Sequence, residues 1–113
     1  MARYGGDIGI VQNAVLGPIR IGRDRAQRVA LQTGANNHAA ADIHLQGSND
    51  GVVFGDVGML DPADHTTVRA SLVGASKFGE VPVGSAGWEY YQVKRVDATG
   101  AGIAQVDLTI QND

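Results

Sequence analysis

Hydrophobic and polar residues alternate in several short runs, most cleanly at the C-terminal end. Ala104, Val106, Leu108 and Ile110 alternate with Gln105, Asp107, Thr109 and Gln111. This period of two predicts a strand from Ile103 to Gln111 with one dry face. The same pattern recurs at 41–46, where Ala41, Ile43 and Leu45 alternate with Asp42, His44 and Gln46. Asn49-Asp50-Gly51 then supplies residues that tolerate a positive φ, so a hairpin turn is expected. A returning strand is predicted near Val52–Val57, with Phe54 joining Ile43 and Leu45 in the interior.

The remaining strands are read in the same way. Val29 and Leu31 share a face of a strand over Arg28–Thr33, followed by a loop at 34–38. Thr66–Val73 is rich in β-branched residues and reads as one strand rather than a short helix, which Gly74 would close quickly. Pro82, in Val81-Pro82-Val83, predicts a sheet edge or an extended connection. Trp88–Val96 predicts a strand with Tyr91 and Val93 on one face and a bulge where Val96 breaks the phase. Residues 97–102 read as a hairpin loop.

Residues 1–27 carry only short apolar pairs interrupted by Gly5, Gly6, Gly9, Gly17 and Gly22. They predict an extended N-terminal arm that joins the sheet around Pro18 to Ile21. Such an arm packs on its own domain or on a neighbouring subunit. The other reading is a partly disordered terminus. Residues 28–113 then form a single domain. Its turn signals predict an all-β antiparallel sandwich or jelly roll of about seven or eight strands.

Composition narrows the chemistry. The 113 residues include no cysteine, which removes a disulfide framework, a thiolate metal site and a cysteine nucleophile together. The net charge of −3 disfavours a general nucleic-acid binder. No apolar run approaches the roughly 20 residues of a membrane span. The N-terminus lacks a secretory h-region, so the chain is expected in the cytoplasm at synthesis. Sixteen glycines suit many tight turns.

Catalytic patterns are not apparent. His38, His44 and His65 show no metal-ligand spacing, and no metal or other cofactor is expected. Asn49-Asp50-Gly51 with Asp56 superficially suggests a calcium loop, but Val52, Val53 and Phe54 stand where ligands are needed. A turn bonded to its own backbone is the reading adopted. Glu80 and Glu89 have no sequence relation that would pair them as acid and base, and the serines lie in no nucleophile elbow. The chain is not expected to be an enzyme.

Two groups of residues suit partner binding. Arg20, Arg23, Arg25 and Arg28 cluster around Asp24. They fit an acidic partner surface or phosphate; the other reading is a solvated loop and strand edge, and arginine is common at subunit contacts as well. Trp88, Tyr90 and Tyr91 could form an aromatic platform or fill the core. An outward Tyr90 would suit a subunit interface.

The run Leu45-Gln46-Gly47-Ser48-Asn49-Asp50-Gly51-x-x-Phe54 resembles the strand-turn-strand signature of discoidin-like β-sandwich modules. That resemblance implies binding of glycans or lipid headgroups. The chain is shorter than those modules, lacks their cysteines and does not match them in its N-terminal third. Residues 28–111 also resemble small jelly-roll cement or decoration proteins of tailed-bacteriophage capsids. The shared run is the "LQGSNDG" strand end, the Phe54 strand, the middle strand at 68–73 and Val81-Pro82-Val83. Tyr90-Tyr91-Gln92-Val93 and the Thr-Gly-Ala-Gly hairpin into the last strand complete it. This resemblance implies a virion protein on the capsid surface, assembled in the host cytoplasm. It would be a homotrimer that clamps neighbouring copies of the major capsid protein, binding neither nucleic acid nor membrane. The alternative is a glycan-binding module of a phage fibre or surface protein. Its sugar site would be formed by the loops at 34–38, 47–51 and 97–102, with Tyr90 or Trp88 stacking.

Overall fold

A computed structural model describes residues 2–4, 9–10, 14–22, 26–61, 63–64, 66–82, 87–97 and 104–112. Twelve strands occur among them, and no helix. They are β1 (Ala2–Tyr4), β2 (Gly9–Ile10), β3 (Val15–Arg20), β4 (Ala26–Thr33), β5 (Asp42–Ser48) and β6 (Gly55–Asp56). They continue as β7 (Met59–Leu60), β8 (Val68–Arg69), β9 (Leu72–Val73), β10 (Phe78–Glu80), β11 (Tyr90–Arg95) and β12 (Ala104–Asn112). One sheet runs β1-β12-β4-β10-β7-β8, with β2 also on β12; the other runs β3-β11-β5-β6, with β9 also on β5. Every described pairing is antiparallel. The protein is an all-β sandwich.

The inner faces are the alternating sets read from the sequence. In the first sheet, Leu31 stands opposite Leu108 and Val29 opposite Ile110, all fully buried. In the second, Leu45 stands opposite Val93 and Gly47 opposite Tyr91. Ala41, Ile43, Val57, Met59, Leu72, Val81, Ala104 and Val106 complete the core. Each large apolar side chain buried in this way stabilises the fold by about 1.5–3 kcal/mol. Burial also pushes the Tyr91 phenol up to about 12.

Several expectations are corrected. Residues 66–73 do not form one strand. Val68–Arg69 pairs with β7 in the first sheet, whereas Leu72–Val73 pairs with β5 in the second. Ala70-Ser71 carries the chain across, which lets Leu72 turn inward. The strand expected at 52–57 shrinks to Gly55-Asp56, because the Asp50 carboxylate takes the Val52 and Val53 N–H groups out of any ladder. Phe54 is only half-buried and lies outside the core.

Of the two readings for Val81-Pro82, the extended connection holds, since the piece leaves β10 and β10 is not an edge strand. β10 lies between β4 and β7, and Val81 N–H still donates to Val29 O at 2.9 Å. Pro82 comes after the last position that needs a donor. The bulge is also displaced from Val96. It lies where β3 meets β11, between the Tyr91↔Ile19 and Val93↔Leu16 pairs. Gly17 sits there at φ 112°, and a Cβ on it would come within 3.1 Å of the Tyr91 carbonyl oxygen. The described residues of the N-terminal arm pair within this chain. β1 and β2 pair with β12, and β3 pairs with β11 over Val15–Arg20, starting earlier than Pro18.

Candidate functional site

The turn after β5 is stiffened from within. Asp50 Oδ1 accepts from Val52 N–H at 2.8 Å, Val53 N–H at 2.9 Å and the Ser48 hydroxyl at 2.9 Å. Ser48 Oγ accepts in turn from Gly51 N–H at 3.0 Å and Asp50 N–H at 3.2 Å. These donors hold the Asp50 carboxyl below its ordinary value, the backbone N–H groups most strongly.

Two aromatic rings settle on glycines of the same hairpin. A Cβ on Gly47 would lie 2.7 Å from Trp88 Cγ, and one on Gly51 would lie 3.1 Å from Tyr90 Cζ. Gly51 also needs its φ of 77°. Gly47 continues the inward row of Ala41, Ile43 and Leu45, so Trp88 fills the place its side chain would take. The turn leaves Val52 81 % and Val53 73 % exposed. A groove of about 370 Å³ remains between Trp88, Val53 and the 47–56 segment.

The opposite end of β5 is closed by a buried polar group. Arg95 is fully buried and Asp97 nearly so. Arg95 Nε donates to Asp97 Oδ1 at 2.7 Å and Nη2 to Asp97 Oδ2 at 3.1 Å. Asp97 Oδ1 also accepts from Asp42 N–H, and His38 Nε2 lies 2.6 Å from Arg95 Nη2. Nearby, Asn37 bonds both the N–H and the carbonyl of Gln105, acting as a strand residue would. The Arg95–Asp97 ion pair was not read from the sequence, although one signal was present. Arg95 and Asp97 continue the inward phase of Tyr91 and Val93, and a charge in that phase needs an opposite charge beside it.

A second cleft, of about 400 Å³, opens on the β9 side. Val73 and Phe78, 47 % and 40 % exposed, supply its apolar surface, with Lys77 and Arg69 beside them. Arg69 is held by Asp61 Oδ2 through Nη2 at 2.9 Å. Ala63 N–H and Arg69 hold the Asp61 carboxyl below its ordinary value. Asp64 is lowered further by the Thr67 hydroxyl and the N–H groups of Thr66 and Thr67.

Of the arginines expected to bind a partner, Arg20 and Arg28 are among the described residues, and each is paired. Arg20 lies on β3 and pairs with Glu89 at 3.2 Å; Arg28 lies on β4, in the other sheet, and pairs with Glu80 at 3.0 Å. Arg23, Arg25 and His65 lie outside the described residues. Tyr90 is half-buried over Gly51. The loops expected to share a sugar site are separated. Residues 34–38 lie at the Arg95–Asp97 end and 47–51 at the Trp88 end, while 98–102 lie outside the described residues.

His44 stands between Asp42 Oδ1 at 3.2 Å and Asp56 Oδ2 at 3.1 Å. These contacts are at ion-pair range but are not aligned as hydrogen bonds. Gln46 links Asp56 to Gln92 along the same outer face. Among the described residues, no group of three histidine or carboxylate side chains is placed to hold a metal, and no helix is long and apolar enough to cross a membrane.

The class these features define is an antiparallel β-sandwich with a stiff, aromatic-backed hairpin at one end and a buried ion pair at the other. No protein family and no curated protein matches the sequence. Among solved structures, the fold is similar to that of the SPBc2 prophage-derived protein YomS. The TM-score is 0.73 at 7 % identity, covering 97 % of this chain and 92 % of that one. At that identity the likeness shows the fold alone.

Proposed function

We propose that the protein is a structural component of a bacteriophage particle. In this reading it is a cement or decoration protein that binds the major capsid protein and stabilises the head by bridging neighbouring shell subunits as a homotrimer. The observation that carries the reading is the cleft beside β9. Val73 and Phe78 stay exposed there next to Lys77 and Arg69, an apolar centre with a charged rim. Such surfaces characterise protein interfaces, and Lys77 at the rim suits an acidic shell, while Arg69 is already held by Asp61. The fold shared with a prophage-derived protein supports the phage setting.

The work required is mechanical. A stiff sandwich lays one surface across a seam, and symmetry repeats each modest contact until avidity makes attachment firm. Arg20 and Arg28 contribute little, because a shell carboxylate competes with Glu89 and Glu80 for them. No cofactor takes part.

The test is cosedimentation with capsids stripped of the protein. Phe78→Ala is expected to weaken binding at least tenfold, about 1.4 kcal/mol, while the melting temperature changes little. Undiminished binding by the variant would count against the cleft, and absent binding by the wild type against the reading itself.

A further inference from the structure

The groove beside Trp88 has a feature the chain itself does not use. Gly47 and Gly55 face each other across β5 and β6. Gly47 is needed, because a Cβ there would stand 2.7 Å from Trp88 Cγ. Gly55 is not needed in that sense, because a Cβ there meets nothing within 4 Å. One glycine makes room for the indole, and the other leaves room that nothing among the described residues fills. The resulting groove, about 370 Å³, is at the small end of ligand sites.

The groove's chemistry selects a ligand. Trp88, 37 % exposed, is anchored against Gly47 and borders the groove. Its electron-rich ring attracts the polarised C–H bonds on the apolar side of a pyranose. Val53 adds apolar surface on the same rim. Asn49 offers an amide with donors and an acceptor, and Asp50 offers Oδ2. Among the described residues no donor reaches Asp50 Oδ2, and the Asn49 side chain has no partner. Asp50 Oδ1 meanwhile takes three hydrogen bonds that fix the carboxylate in place. Sugar hydroxyls both donate and accept, so they satisfy this pair, whereas a purely apolar segment would leave it unpaired. The described lining residues include carboxylates and no cation, which repels phosphate, sulfate and uronate groups.

We propose that this groove binds a neutral saccharide, with a hexose or N-acetylhexosamine ring stacked on Trp88 and its hydroxyls held by Asn49 and Asp50. The site is separate from the Phe78 cleft, so the proposal stands whether or not that cleft binds a shell. The test is an array of neutral hexose and N-acetylhexosamine oligosaccharides alongside sialylated and sulfated ones. Hits are then titrated by the fluorescence of Trp88, the one tryptophan in the chain. Neutral glycans are expected to bind and to shift the emission. Gly55→Val is expected to weaken binding at least tenfold at an unchanged melting temperature, and Trp88→Ala, compared on the array, at least as much. Phe78→Ala should leave it intact. Failure of every neutral glycan to bind, preference for the acidic ones, or full binding by a folded Gly55→Val variant would each overturn the proposal.

Discussion

At its first residues β5 runs past a buried Arg95–Asp97 pair; at its last residues it runs into two glycines covered by aromatic rings. The first end is held by charge satisfaction. Once buried, Arg95 requires Asp97, and Asp97 also takes the Asp42 N–H that begins β5. The second end is held by fit. Trp88 and Tyr90 occupy the space that side chains at 47 and 51 would fill. A buried charge tolerates no loss of its partner, whereas a ring on a glycine can shift at moderate cost. The end closed by fit keeps a groove and two exposed valines.

The largest expected effect follows from unpairing the buried charge. Asp97→Ala should cost about 3–5 kcal/mol, read from urea unfolding. The double replacement Arg95→Met with Asp97→Leu should recover most of that loss. If the single and double variants are equally unstable, the first end is not held by charge satisfaction.

Gly47→Ala should cost about 1–3 kcal/mol, because the added methyl pushes Trp88 outward. A red-shifted emission should accompany the loss of stability. An unshifted spectrum would mean that the ring does not rest on this glycine.

The acid limb separates the ends further. The Asp50 and Asp64 carboxyls titrate below their ordinary value of 3.8 in the folded chain. Protonation therefore favours the unfolded state. Their contribution is complete above about pH 4 and is lost as pH falls through the lower folded-state values. Replacing both by Asn should flatten the decline of melting temperature below about pH 4. An unchanged slope would assign the acid limb to other groups.

Tyr91 gives the mirror case. Its phenol, raised to about 12, contributes fully below its unfolded value of 10.0 and loses that contribution as pH rises through about 12. Absorbance at alkaline pH should show one of the three tyrosines ionising late, together with unfolding.

Much of this architecture was legible wherever a strand was long enough to show its period. β4, β5, β11 and β12 have six to nine residues each, and their inward sets were readable from alternation. β2, β6, β7, β8 and β9 have two residues each, too few to carry a pattern. That explains the single strand expected at 66–73 and the long one expected at 52–57. The Asn-Asp-Gly turn was legible as a turn. Its stiffening through Ser48 and Asp50 depends on side-chain direction, which alternation does not encode. The rings over Gly47 and Gly51 come from residues some forty positions away, and the two clefts likewise arise from pieces far apart in the chain.

The proposed role is tested most directly by a density gradient of particles from the protein's native source. The account predicts that the protein travels with intact capsids and that Phe78→Ala releases it to the top of the gradient. Wild-type protein found only at the top, free of particles, would contradict it.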